Sequence, residues 1–262
     1  MNSSVLMCSP DYFDVEYVIN PWMKPGTVNR TVAQAQWRSL VEAYQALGIQ
    51  VHIIPQQQHV PDMVFATDQG IVRNGEFIVS NFRYPERQAE SHFFTDWFTE
   101  HGFGLKKLIE HVYFEGGDLM ELSDHFFLGT GFRSEKNAAR HLASYLECEC
   151  IPLELVDEAF YHLDTCLLML NDETAFYYPP AFSEQSQYFL KQSIPNLYEF
   201  TKKEVLGFSA NSVRVGKTVI CQSGNPTFTR RLQDLGYSIK ELNLSEFIKA
   251  GGGIHCLTLK LN

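Results

Sequence analysis

A helix followed by a short strand recurs along this chain, and that recurrence limits the folds open to it more than any other feature. TVAQAQWRSLVEAYQALG places Val32, Trp37, Leu40, Val41, Tyr44 and Leu47 at helical spacing, ends on Gly48 and runs into the strand-like IQVHIIP. The same order returns in PERQAESHFFTDWFTEHG then FGLKKLIE, in SEKNAARHLASYLE then CECIPLEL, and in NPTFTRRLQDLG then YSIKELNL. A weaker copy, FSEQSQYFLKQS then IPNLYEF, fills the gap before the last of these. Between the units lie hairpin-like runs, GIVRNGEFIVS turning at Asn74-Gly75 and VRVGKTVIC turning at Gly216-Lys217. Five units spaced roughly 45 to 55 residues apart have the period of a propeller or array. No proline-rich or low-complexity linker interrupts them, so residues 1–262 are expected to form a single α/β domain of repeated modules around an axis.

Charge and cysteine content narrow the functional classes. The formal net charge of −10, with basic residues scattered, argues against a nucleic-acid partner or an anionic membrane surface. No apolar run approaches the ~20 residues that span a bilayer, and no basic-then-apolar leader opens the chain, so a cytoplasmic protein is expected. The six cysteines, Cys8, Cys148, Cys150, Cys166, Cys221 and Cys256, lie mostly in apolar runs, as reduced core thiols do. Cys148 and Cys150 have one residue between them, which is the wrong spacing for a zinc site, and no metal is expected.

If strand ends converge on one face of a propeller, the polar residues at those ends form its site. Four segments place such residues beside apolar strand residues: PDMVFATDQG, FEGGDLM, YHLDTC and GGGIHC. In the last, Gly251, Gly252 and Gly253 lead to Cys256 at the start of a predicted strand and free the backbone to approach a ligand closely. A free thiol is more often a small core residue than a nucleophile. Its candidate acid–base partner is His162, which on a strand would share one face with Asp164. Burying that imidazole and carboxylate together is costly unless both are paired. His255 would point to the opposite strand face from Cys256 and is not given the base role. Glu115 and Asp118 flank a Gly-Gly turn, a common solvated turn when taken alone. Asp68 ends an apolar run before Gly70, and Asp62 lies on the same approach. Several carboxylates near a thiol and an imidazole suit a planar cation, and guanidinium, with its rigid fork of N–H donors, is that group.

These motifs, together with MCSPDYFDVEYVINPWM and GFRSE and in this order over the whole chain, resemble the pentein or guanidino-group-modifying superfamily. The resemblance is to its arginine dihydrolase, arginine deiminase and dimethylarginine dimethylaminohydrolase branch, often labelled amidinotransferase. It implies a five-bladed α/β propeller of ββαβ-like modules with the site on its axis and no metal or organic cofactor. Carried over residue by residue, it implies Cys256 as nucleophile, His162 as general acid and base, and Glu115 as the carboxylate that orients His162. It further implies that Asp68 and Asp164 receive the guanidinium, that Arg87 and Arg133 hold the substrate carboxylate, and that Asp62 and Phe65 line the amino-acid end. Asp118, which closes the Gly-Gly turn, is placed with the substrate-binding residues.

The expected chemistry is thiolate attack on the guanidinium carbon of free arginine or an N-methylated arginine. A covalent S-alkylthiouronium forms, and its hydrolysis gives citrulline with ammonia or methylamine. Dihydrolases with a nearly identical CxPDxxDVxYxINPWM opening carry asparagine where this chain has Asp68, so hydrolysis is expected to stop at citrulline. Full dihydrolysis to ornithine stays open. An amidinotransferase would use the same intermediate with an amine acceptor. A non-enzymatic pentein binding module would have lost the thiol, imidazole and carboxylates, and a papain-like protease lacks support because the cysteine follows the histidine. Self-association into a homo-oligomer is also left open.

Overall fold

The computed structural model describes residues 3–109 and 111–261. Their strands form five three-stranded sheets, each built the same way. The first is closed by both ends of the chain: β1 (Ser4–Cys8) lies between β2 (Gln50–Ile54) and the last strand, β15 (Leu259–Lys260). Then follow β3 (Gly70–Arg73), β4 (Glu76–Val79) and β5 (Gly104–Lys107), and β6 (Leu119–Glu121), β7 (His125–Thr130) and β8 (Glu149–Glu154). The fourth holds β9 (Leu167–Asn171), β10 (Thr174–Tyr177) and β11 (Asn196–Glu199), and the fifth β12 (Val213–Val215), β13 (Thr218–Gln222) and β14 (Ser238–Leu242). This is a five-bladed α/β propeller. In the strand expected over FGLKKLIE the structure ends at Lys107, and Glu110 lies outside the described residues.

Local chemistry explains each blade. Asn74 and Gly75 both have positive φ, 51° and 75°, the requirement of a type I′ hairpin turn, and they join β3 to β4 antiparallel. In the fifth blade Gly216 supplies a φ of 59° at the first turn position. The middle and outer strands are parallel, as in β4 with β5 and β13 with β14, so each pair needs a helical crossover. The helix Arg30–Ala46 is started by Asn29, whose side chain accepts from Val32 N, and it buries Ala33, Trp37, Leu40, Val41 and Tyr44 on one stripe. Phe94 and Phe98 do the same for the second blade, with Phe98 stacked on Phe77 at 3.8 Å. Leu142 and Leu146 serve the third, Leu190 the fourth, and Phe228 with Leu232 the fifth. The cores lie between blades and helices, which leaves the inner strand ends for polar groups.

Residues of all five inner strands, β3, β6, β9, β12 and β15, line one cavity of about 1010 Å³ on the axis, at the end where the hairpins turn. The opposite end is covered by the segment after β1. Tyr17 donates to Asp62, Ile19 O accepts from Arg133, Trp22 Nε1 donates to Ala159 O, and Asn20 Nδ2 donates to Ala250 O. Among the described residues no helix is long and apolar enough to cross a membrane.

Candidate active site

Each inner strand is entered through a tight turn, and these five turns meet on the axis. Ala66–Gln69, Gly116–Asp118 and Leu163–Thr165 are single 3-10 turns that stand before β3, β6 and β9. The bend at residues 210–211 precedes β12, and a turn over residues 254–257 precedes β15. They carry Asp68, Glu115 with Asp118, His162 with Asp164, Asn211, and His255 with Cys256. Three expected local structures are thereby corrected. Cys256 does not begin a strand, because Leu257 N donates to Gly253 O and Thr258 N to His255 O, and β15 starts only at Leu259. His162 caps a 3-10 turn and the strand begins at Leu167, so His162 and Asp164 do not alternate along a strand. Asp68 likewise sits in a 3-10 turn.

The thiol of Cys256 is buried and has two side-chain partners. Its Sγ donates to Asp164 Oδ2 at 3.1 Å and accepts from Asn211 Nδ2 at 3.1 Å. Asn211 Oδ1 takes the backbone N–H groups of His255 and Cys256, at 2.9 and 3.3 Å, so one amide fixes both the turn and the sulfur. Burial pushes the thiol well above its ordinary pKa, and Asp164 and Asp68 push it further the same way. The resting group is therefore a neutral thiol, and a cation beside it would favour ionisation.

His162 is fully buried on a different turn. Its Nε2 donates to Glu115 Oε2 at 2.8 Å, and its Nδ1 faces Asp68 Oδ1 at 3.5 Å. Burial alone would lower its pKa, but Asp68, Asp118 and Glu115 outweigh that and raise it to about 9. Glu115 is held down to about 2: burial opposes this, and the Arg133 guanidinium and His162 prevail. Arg133 donates from Nη1 to the same Glu115 oxygen at 3.0 Å and lies between the rings of Tyr84 and Tyr161, 4.7 and 4.5 Å from their centroids.

Asp164 stays below the ordinary carboxylate range despite its burial, because His255 donates to it at 2.9 Å and His162 adds positive charge. Asp62 is raised to about 6 by burial, against the pull of Arg87. Phe65 packs edge-on to Phe13 and fills the space a side chain at Gly252 would need.

Two residues expected at the substrate are engaged by the protein itself. Arg87 gives Nε and Nη2 to Glu90, Nη2 also to Asp62 O, and Nη1 to Asp68 Oδ2, leaving one N–H of Nη1 unengaged. Four of its five N–H groups are thus engaged, one of them in fixing Asp68. Asp118 accepts Ser134 N at Oδ2 and Leu163 N at Oδ1, both at 3.1 Å. It ties the Arg133 loop to the His162 turn, and both its oxygens are occupied. Sequence reasoning passed over Asn211, Glu90, Tyr17 and Tyr161. Asn211 could have been found, because SANS precedes VRV in the position that ATDQ holds before β3, which sets Asn211 against Asp68.

Five polar atoms of the site residues are buried without a hydrogen-bond partner: Asp62 Oδ1, Asp68 Oδ1, Glu115 Oε1, Asp164 Oδ1 and His162 Nδ1, of which Asp68 Oδ1 and His162 Nδ1 face each other at 3.5 Å. Orphaned acceptors are costly unless a ligand supplies donors. The open oxygens of Asp68 and Asp164, both of which act on the thiol, form a receptor for a cation rich in N–H groups. Among the described residues no group of three or more His, Cys, Asp or Glu side chains is arranged to hold a metal ion.

Known proteins carry the same frame. ArgZ of Synechocystis, a bifunctional arginine dihydrolase/ornithine cyclodeaminase, is 37% identical over 98% of this chain, and the chain spans 37% of that relative's length. The N(G),N(G)-dimethylarginine dimethylaminohydrolase of Mycobacterium tuberculosis is 36% identical over 98% of this chain and 85% of its own. A variant of the N-terminal domain of ArgZ, solved covalently bound to a reaction intermediate, superposes with a TM-score of 0.97 at 35% identity, covering 100% of this chain and 98% of that one. The profile of the family described as N,N dimethylarginine dimethylhydrolase, eukaryotic, matches residues 13–262, which takes in every turn that meets on the axis, and to that family this chain belongs.

Proposed function

We propose that residues 1–262 act as one catalytic domain, a cysteine hydrolase that opens the guanidinium group of free arginine or an N-methylated arginine and releases citrulline with ammonia or the methylated amine. The observation that carries the reading is the pair of buried carboxylates, Asp164 and Asp68, that act on the Cys256 thiol and each leave one oxygen without a hydrogen-bond donor. The names of the relatives, an arginine dihydrolase and a dimethylarginine dimethylaminohydrolase, support the same substrate class.

The substrate guanidinium lies between Asp68 and Asp164 and offsets their charge, so the thiol beside Asp164 ionises and gives its proton to solvent. Sγ attacks the planar carbon, and the carbon becomes tetrahedral. His162, a cation near neutral pH, gives its Nδ1 proton to the departing nitrogen while Glu115 holds Nε2. The C–N bond breaks and an S-alkylthiouronium remains on Cys256. The now neutral His162 takes a proton from water, the hydroxide adds to the same carbon, and the C–S bond breaks as the added hydroxyl passes its proton to Sγ, which gives a neutral urea and the resting thiol. Arg133 holds the substrate carboxylate, with Asp62 and Phe65 lining the amino-acid end, whereas Arg87 and Asp118 position other groups.

The test is product analysis by mass spectrometry after incubation with arginine and, separately, asymmetric dimethylarginine, with and without glycine or lysine. Citrulline formed without an acceptor supports the reading, and Cys256→Ser abolishes it. Turnover that requires an added amine would replace it with an amidinotransferase.

A further inference from the structure

Asp164 Oδ2 serves two donors. The Cys256 thiol reaches it at 3.1 Å and His255 Nδ1 at 2.9 Å, from the residue next in sequence. A carboxylate offers no hydrogen, so Nδ1 carries it. The turn makes this possible: Asn211 Oδ1 holds the N–H groups of both residues, which brings both side chains to Asp164. A regular strand would have sent them apart. The His255 side chain is 20% exposed, while Asp164 and Cys256 are sealed, and it lines the axial cavity of about 1010 Å³ at the far end from the covering segment.

We infer that His255 is a positioning residue for the nucleophile: it fixes Asp164 Oδ2 against Sγ and shares out the negative charge that the thiolate must face. This rests on the assignment of Cys256 as nucleophile. The Nδ1–H bond opposes the burial of Asp164 and keeps its carboxyl ionised. Without that hydrogen, the carboxylate would turn its whole charge on the sulfur and hold it as the thiol. His162 adds positive charge to Asp164 but makes no hydrogen bond to it, since its Nε2 belongs to Glu115 on another turn. Asp164 bonds the ring, and the other charged side chains that line the same cavity are Arg73, Glu121, Asp172, Arg214 and Lys260.

The experiment uses 2-chloroacetamidine, a planar cation that alkylates thiols, on the full chain, so it needs no turnover of arginine. His255→Leu removes the donor, and His255→Asn keeps an N–H near the position of Nδ1. His255→Leu is expected to lower the maximal inactivation rate roughly tenfold and to move its pH midpoint up by about one unit, with little change in half-saturating concentration. His255→Asn is expected to restore both to within about twofold of wild type. Wild-type rate and midpoint in His255→Leu would overturn the inference, as would His255→Asn falling as far as His255→Leu. Where His255→Leu does not fold, His255→Gln, whose donor sits one carbon further out, takes its place with the same two outcomes. Peptide mapping that puts the adduct elsewhere than Cys256 in wild type would overturn the nucleophile assignment itself and is read separately.

Discussion

Arg87 Nη1 donates to Asp68 Oδ2 at 2.6 Å, which turns the other oxygen of Asp68 toward His162 Nδ1. Glu90 holds the same guanidinium through Nε and Nη2, so Asp68 is aimed by a fork that is itself clamped. An ammonium cannot make both sets of bonds. Arg87→Lys is therefore expected to lower kcat/KM by ~10²-fold for arginine and agmatine alike, since it acts through the guanidinium end that both share. Arg133→Lys should instead penalise arginine more than agmatine, which has no carboxylate. Steady-state kinetics with the two substrates separate the roles, and equal losses for Arg133→Lys would remove it from the carboxylate.

The imidazolium of His162 is the acid in the proposed mechanism, and its pKa of about 9 sets a basic limb. Activity is expected to fall as pH rises through about 9. Glu115→Gln removes one of the anions that hold the proton while keeping an acceptor for Nε2, so its limb moves to lower pH. A limb that stays in place in Glu115→Gln, measured as kcat/KM between pH 6 and 10, would mean another group governs it. The stability sign follows from the same shift. A histidine with a raised folded pKa stabilises the fold fully below its unfolded value near 6.5, and that contribution is lost as pH climbs through about 9.

Gly117 stands where no side chain fits. A Cβ there would lie 2.6 Å from Asp68 Oδ1 and 2.8 Å from His162 Nδ1. Gly117→Ala is expected to cost about 1 to 3 kcal/mol of stability and to lower kcat/KM by at least ~10²-fold, because the two groups must separate. Gly102→Ala is the control: its φ of 80° costs about 1 kcal/mol, but its Cβ meets nothing, so kcat stays. Thermal unfolding and kinetics on both variants distinguish displaced catalytic groups from general destabilisation.

The blades were legible because they repeat a period and use explicit turn chemistry. Asn74-Gly75 can make few other turns, and the Trp37, Leu40, Val41, Tyr44 stripe can only face a core. The residue types of the site were legible too, as acids, histidine and cysteine beside apolar runs. What sequence could not supply was the local backbone. His162, Asp164 and Cys256 lie in hydrophobic stretches whose alternation reads as strand, yet each occupies a turn held by long-range bonds, such as Thr67 N to Cys256 O. Such turns have no periodic signal, so the sharing of Asp164 by His255 and Cys256 was hidden, and so was the diversion of Arg87 to Glu90.

Asp68 is also where the extent of hydrolysis can be tested. The bond from Arg87 Nη1 requires an acceptor at the Oδ2 position, so an asparagine there must place its carbonyl oxygen toward Arg87 and its NH2 toward His162 and the substrate. The wild-type carboxylate holds a cationic guanidinium by a charge-assisted bond but presents only acceptors to the neutral urea of citrulline, whose oxygen needs a donor. The amide reverses that preference. Asp68→Asn is expected to weaken arginine binding, by roughly 1.5 to 3 kcal/mol for a lost charged hydrogen bond, and to retain citrulline long enough for a second attack. Ornithine should then appear when the variant is given citrulline alone, while the wild type leaves citrulline unchanged. Citrulline inert to both would show that the residue facing His162 does not decide where hydrolysis stops.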